Sequence, residues 1–356
     1  MKNTAVIAGV GAKTPLGLSA VETAFMYRTG LPCMREAPIL NGREAPVTFC
    51  TVNTLPTHAL AGARALSLGL DALHECTAEC RRALGELKFR VLCCVDEFMA
   101  EIPEGVVSAA QYIADGLHRE TREWFECKPD VLVQAAGAGG FGAMLLEGLA
   151  QLERGETQAL LLGGLHSDYH PLRIQALDAA QRLFSPEQLD AVLPGEGAAF
   201  VLLTDANLAR RLGWSSWGTV HAIGTAFERA NPDNDESAYD AAGMTVALRS
   251  VAEALQGAEL QVGWQLNDVG FERFRLSEWE AVSLRTHELW CDPQRVDPLP
   301  QRMGHQGGAV LPIHLAIAAE AWRRGWAPHE RVISLCGSDS GARTAVLASS
   351  YGARSD

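Results

Sequence analysis

The chain has 356 residues, 47% of them hydrophobic and 21% charged, which suits one large domain or two packed halves and excludes a disordered chain. Its net charge of −13 argues against nucleic acid and anionic lipid surfaces as partners, because both would be repelled. No apolar run reaches the ~18 residues of a membrane span. The N-terminal segment, MKNTAVIAGVGAKTPLG, is too short in apolar residues for a signal peptide. Nine cysteines in no regular spacing point to reduced thiols and a cytoplasmic protein.

Short apolar runs alternate with helical stretches along the chain. Residues 4–10 predict a buried strand and 16–29 a helix. Further strands are expected at 90–95, 130–135, 158–164 and 197–205, with helices at 105–120 and 141–154. A second series follows: a strand at 218–228, a helix at 239–257, a strand at 264–271, helices at 277–290 and 307–325, and two strands within 331–350. Continuous apolar strands separated by helices indicate sheets covered on both faces. The two series divide the chain into similar halves, 1–205 and 206–356. The polar segment ERANPDNDESAYD (228–240) reads as an exposed loop.

One junction stands out. VQAAGAGGFGAM (133–144) runs from a strand through the small residues Gly137 to Gly140 into a helix. A helix N-terminus supplies free N–H groups and a positive dipole end, which activate a thiol and hold an oxyanion. This turn contains no Cys, Ser or Thr. The nearest cysteine, Cys127, lies upstream of the strand. The glycines at 137, 139, 140 and 142 match neither a P-loop nor a dinucleotide fingerprint, so no cofactor is expected, and close packing of a buried helix explains them.

Other clusters read as structural. Cys93 and Cys94 fall inside an apolar strand, and Cys76 and Cys80 have no zinc-site companions. In GGLHSDYHP, His166, Asp168 and His170 suggest metal or acid–base work. Pro171 follows at once, however, and the stretch reads as a loop, so no metal site is expected. Glu196, in GEG, reads as a buried structural acid.

In four stretches the sequence resembles the β-ketoacyl synthase branch of the thiolase-fold condensing enzymes. AVIAGVGAKTPLGLS is similar to the family's opening strand and turn, and AGAGGFGAMLLEGLAQLERGETQALLLGG to its nucleophile elbow, buried helix and Gly-Gly strand. LPGEGAAFVLL is similar to its Gly-Glu-Gly-Ala strand, and MGHQGGAV with GSDSGARTAVL to its second-histidine segment and C-terminal turn. The resemblance implies an α/β fold, the thiolase-like αβαβα layered sandwich of two pseudo-repeated halves. It also implies a cysteine nucleophile at the elbow and two histidines that donate to the thioester oxygen.

Residue by residue, that machinery does not carry over. The nucleophile position falls on Gly137 if the Gly-Gly pair sets the alignment and on Ala138 if Arg154-Gly155 does. The first-histidine position falls on Val269. His305 alone fits the pattern. Ser338, Asp339 and Ser340 replace the aromatic and glycine residues expected at the pocket mouth. Gly139, Gly140, Cys336, Asp339 and Ser340 are the candidates for a residual pocket. The expectation is a catalytically degenerate protein serving as a binding or scaffold subunit, more a pseudoenzyme than an enzyme. By the same resemblance it forms a homodimer, or a heterodimer with an active synthase as chain-length factors do. An acyl carrier protein is then a further partner. Degenerate condensing-enzyme-like chains are also encoded beside type VI secretion cargo and adaptors, which makes such an assembly a second destination. The alternative is an acyltransferase or condensing enzyme with a displaced nucleophile, Cys336 or Ser167.

Overall fold

The computed structural model describes residues 4–232, 234–255 and 261–352. Two rounds of five strands carry the chain. The first consists of β1 (Ala5–Lys13), β2 (Phe89–Val95), β3 (Asp130–Ala135), β4 (Ala159–Ser167) and β5 (Glu196–Thr204). The second consists of β6 (Gly218–Phe227), β7 (Val262–Asn267), β8 (Trp290–Pro298), β9 (Arg331–Gly337) and β10 (Ala342–Ser350). Across the sheet the order is β8-β7-β9-β10-β6-β1-β5-β4-β2-β3. Each round therefore repeats one order, third-second-fourth-fifth-first. In each, the third, second and fourth strands run parallel and the fifth is antiparallel to both neighbours. The rounds join where β1 pairs with β6, Ala5 opposite Val220. The expected division at residue 205 falls just after β5.

Helices repeat with the strands. The first round carries α1 (Ala61–Thr77), α2 (Ala109–Trp124) and α3 (Gly137–Glu153), and the second carries α4 (Ala242–Ala252), α5 (Arg273–Arg285) and α6 (Val310–Arg323). Three apolar cores separate the layers. Strand alternation assigns side chains to them, because successive residues face opposite sides of a sheet. On β5, Ala198, Phe200 and Leu202 face an outer core with α1 and α2. Ala199, Val201 and Leu203 face a middle core with α3 and α6. On β10, Leu347 joins the outer core of α4 and α5, and Val346 the middle one. This is the αβαβα sandwich, and it explains why the strands read as unbroken apolar runs.

Two elements of this framework were not legible. The edge strand β8, WCDPQRVDP, is polar and contains two prolines, which an edge position tolerates. The helix α1 shows in the sequence only near Cys76. A third expectation is corrected. Segment 228–240 is not simply exposed: Glu228, Ala230 and Ala238 are buried, and the Glu228 carboxylate accepts the Gly243 N–H at 2.8 Å. Gly257, the expected end of the helix at 239–257, lies outside the described residues.

The middle layer is tight. A Cβ on Gly139 would stand 2.0 Å from the Ala342 carbonyl oxygen of β10, and the Thr344 hydroxyl donates to the Gly139 carbonyl at 2.6 Å. Only glycine permits this approach of α3 to the second round. The substitution Gly139→Ala is expected to cost about 1–3 kcal/mol, the usual range for overpacking, read as a lowered midpoint in urea unfolding. The buried His314 of α6 shares a 2.7 Å hydrogen bond with the Ser334 hydroxyl through Nδ1, and burial lowers its pKa to about 3. Its folded value lies below the unfolded one. It therefore contributes stability that is present above about pH 6.5 and is lost as pH falls toward the folded value. Urea unfolding of His314→Asn should show a shallower loss of stability over that window than the parent. An equal slope would refute the assignment.

Candidate functional site

The strand β3 ends at Ala135, and the chain turns through Ala136 into α3. Gly137 has φ 64°, a left-handed conformation that glycine adopts without strain. The space in front of it is filled. A Cβ on Gly137 would lie 2.5 Å from Ser338 Oγ. Ser338 comes from the β9–β10 turn. The Gly139 N–H donates to its Oγ at 2.8 Å, and its hydroxyl donates to the Ala136 carbonyl at 3.3 Å. The N-cap residue Ala136 has no capping side chain, so a serine from the other round caps α3 and occupies an amide that an oxyanion would need. Beneath the turn, the Cys94 thiol donates to the Gly137 carbonyl at 3.3 Å. Cys94 is fully buried, and burial pushes its pKa far up.

Beside the elbow lies a cavity of about 180 Å³, with Ala138, His305, Gly307 and Val310 in its wall. Half of the remaining lining is charged, and Phe98, Leu193, Phe271 and Pro300 are among the rest. Arg275 joins Asp268 and Glu278, each at 2.7 Å. Arg182 joins Glu272 at 2.6 Å and Asp339 at 2.8 Å. The Ser340 hydroxyl donates to the Glu97 carboxylate. Burial alone would raise the Asp339 pKa, but the hydrogen bond and charge of Arg182 hold it below the ordinary carboxylate range.

At one end of the cavity, His305 meets a fully buried carboxylate. Its Nδ1 lies 3.2 Å from Asp168 Oδ2, and its Nε2 lies 3.7 Å from Asp96 Oδ2. Asp168 also receives the Gly195 N–H at 3.1 Å and the Arg173 Nε–H at 2.9 Å. His166 Nε2 stands 3.1 Å from the same Oδ2. Burial would raise the Asp168 pKa, yet His166, His305 and Arg173 together hold it well below the carboxylate range. Burial would lower that of His305, and Asp168 reverses the effect, raising it to about 9.

The expected cluster of His166, Asp168 and His170 is thus rearranged. His170 leaves it to cap the helix Pro171–Ala179, its Nδ1 accepting from the Leu172 N–H at 3.2 Å. His305 and Asp96 take its place. Asp96 was missed, although a signal existed: it directly follows β2, whose Val95 pairs in parallel with Leu165 of β4. Two adjacent parallel strands thereby bring Asp96 and His166 together at their carboxyl ends, where ligand sites form in such sheets.

The other candidates disperse. Of the five expected pocket residues, Asp339 lines the cavity and Ser340 bonds to its wall residue Glu97. Gly139 and Gly140 are outside the lining. Cys336 is also outside it, because its position on β9 faces the middle core; it is fully buried, and burial raises its pKa strongly. Val269 lines a separate, smaller cavity with Met244 and Trp279. Ser167 donates to Glu196 Oε2 at 2.9 Å. Glu196 is held by Arg64 through two hydrogen bonds of 2.7 Å and by the Val52 N–H at 2.6 Å, a buried pair at the centre of the first round.

No protein-family model and no curated protein matches the chain. Solved structures do. One is "The ishigamide ketosynthase/chain length factor", with TM-score 0.77 and 16% identity, covering 99% of this chain and 100% of that one. A second is a chain of a type II polyketide-synthase acyl-carrier protein complex with its ketosynthase bound to the hexaketide. It has TM-score 0.77 and 13% identity, over 98% of this chain and 100% of that one. A third is the ketosynthase from module 6 of the bacillaene synthase from Bacillus subtilis 168, with TM-score 0.76 and 12% identity, over 98% of this chain and 72% of that one. The sandwich built by this chain is the thiolase-like fold of the ketosynthases.

Proposed function

We propose that the protein is a non-condensing member of this fold and acts by binding, as a scaffold or accessory subunit. The observation that carries the reading is the closed elbow. Gly137 and Ala138 offer no nucleophile, and Ser338 fills the space before Gly137 and takes the Gly139 amide. The position expected to hold the first histidine holds Val269, whose side chain lies outside the large cavity. The cavity wall sets the charged Asp96, Glu97, Arg173, Arg182, Asp268 and Arg275 beside the apolar Phe98, Leu193, Phe271 and Val310, so only part of it offers the apolar surface from which an acyl tail gains its binding energy.

The rival reading, acyl transfer by a displaced nucleophile, loses support from the placement of its candidates. Cys336 is buried as a raised-pKa thiol, and a thiol attacks only as the thiolate. The Ser167 hydroxyl is committed to Glu196.

A chain-length-factor-like partnership with a related synthase in the cytoplasm agrees with the solved complexes of this fold. Both a homodimer and a heterodimer agree with it, and an acyl carrier protein enters as a further partner. Accessory service in another assembly, such as type VI secretion cargo loading, is the second destination. Native-level affinity capture with mass spectrometric identification separates them. Recovery of a synthase or acyl carrier supports the first, and recovery of a secretion adaptor or toxin supports the second.

The elbow itself is tested by restoring the thiol. Gly137→Cys should destabilise the fold by about 1–3 kcal/mol, because a side chain there is strained at positive φ and meets Ser338. Ala138→Cys should fold and react with iodoacetamide. Neither variant should form a carbon–carbon bond from acyl and malonyl carriers, because no donor replaces Val269. Ketoacyl product from Ala138→Cys alone would overturn the non-condensing reading.

A further inference from the structure

We propose that Asp96, His166 and His305 form a binding site for one divalent transition-metal ion of the zinc type, open toward the cavity. The inference rests on geometry alone and does not depend on the non-condensing reading. Among the described residues, these three each place one ligand atom so that all three atoms lie within 4.8 Å of one another. Two imidazoles and a carboxylate suit zinc and its neighbours in the first transition row.

The arrangement is that of an oriented ligand set. Both histidines turn one ring nitrogen to the same buried carboxylate. His166 Nε2 lies 3.1 Å and His305 Nδ1 3.2 Å from Asp168 Oδ2. Ligating histidines commonly hold their other nitrogen on a carboxylate in this way, which sets the ring orientation. Asp168 is itself anchored by the Gly195 N–H and by Arg173, so it serves as the support rather than as a ligand. The nitrogens left over are His166 Nδ1 and His305 Nε2. His166 is fully buried, and neither of its ring nitrogens makes a hydrogen bond: Nε2 is close to Asp168 Oδ2 without hydrogen-bond geometry, and Nδ1 has no partner. An orphaned acceptor or donor at that depth is costly unless something binds it.

The third ligand is also oriented. Asp96 Oδ1 accepts the Phe98 N–H at 3.4 Å, while Oδ2 faces His305 Nε2 at 3.7 Å. Gly307 keeps the common space clear. A Cβ there would stand 2.3 Å from His166 Nδ1 and 2.5 Å from Asp96 Oδ2. Ligands on a tetrahedral ion with bonds of about 2.0–2.1 Å lie about 3.3 Å apart, so the set has to draw in on the ion from separations of up to 4.8 Å. Asp96, His305 and Gly307 all line the cavity, which leaves the remaining coordination position on that side for water or a ligand oxygen.

Spacing in the sequence pointed away from metal because the H-x-x-x-H pair was the wrong pair. The three ligands come from the ends of β2 and β4 and from the loop before α6, segments far apart in the chain.

The test uses the full-length, untagged protein, stripped with EDTA and titrated with Co²⁺ and then Zn²⁺. The expected result is one Co²⁺ per chain with visible absorption bands that Zn²⁺ abolishes. Asp96→Asn and His305→Gln should each weaken binding by at least about tenfold, with melting curves in EDTA showing that each variant is folded. X-ray absorption of the Zn²⁺-loaded parent protein provides a readout independent of the variants, with nitrogen and oxygen neighbours at about 2.0–2.1 Å and imidazole outer-shell scattering. Absence of stoichiometric binding would overturn the proposal. So would affinity equal to the parent's in both variants, or sulfur neighbours at about 2.3 Å.

Discussion

The approach of α3 to β10 is the contact on which the rest of the molecule depends. A helix between two sheets must bury every side, and the sheets come within reach of its backbone only where side chains are absent. At Gly139 the Ala342 carbonyl occupies the place of a Cβ. That contact brings the β9–β10 turn of the second round to the N-terminus of the first-round helix, and it brings Ser338 with it. The elbow is thereby retained as packing while its front is closed. The glycines serve the middle layer whether or not chemistry takes place beside them.

Many charged groups buried near this layer are paired in networks, within each round and across them. Glu196 and Arg64 knit the first round. Asp268, Arg275, Glu278 and Arg343 form a continuous chain in the second, in which Arg343 Nε donates to Glu278 Oε1 at 2.6 Å. Arg182 then reaches from the first round to Glu272 and Asp339 of the second. Removing one member of such a network leaves a buried charge unpaired, a loss larger than the pair's net contribution. These bonds fix the charged part of the cavity wall, formed by Arg182, Asp268, Glu272, Arg275 and Asp339.

Asp168 shows how the same scaffold turns toward other chemistry. It lies one residue beyond the end of β4, without solvent, held by a main-chain N–H, an arginine and two histidines. In the proposed metal site it supports both imidazoles from behind, with Asp96 and His305 lining the cavity and His166 buried beside them.

Much of the framework was legible in the sequence. Nine of the ten strands of the sheet were recognisable one by one, from TAVIAGV to the pair within 331–350, because a strand buried on both faces has no polar alternation to obscure it. The repeat of strand and helix implied two rounds, and glycine at the elbow was visible as close packing. The expectation that His305 would be retained came from the family resemblance, and the reading of Glu196 as a structural acid from its place in GEG. What the sequence could not determine was which distant residues meet. That Ser338 caps α3, that Arg64 neutralises Glu196, and that Asp96 joins His166 and His305 all follow from strand order and crossover, which bring chain segments together across separations that no local spacing records. The polar edge strand β8 stayed hidden for the same reason: its place at the border of the sheet, and not its composition, makes it a strand.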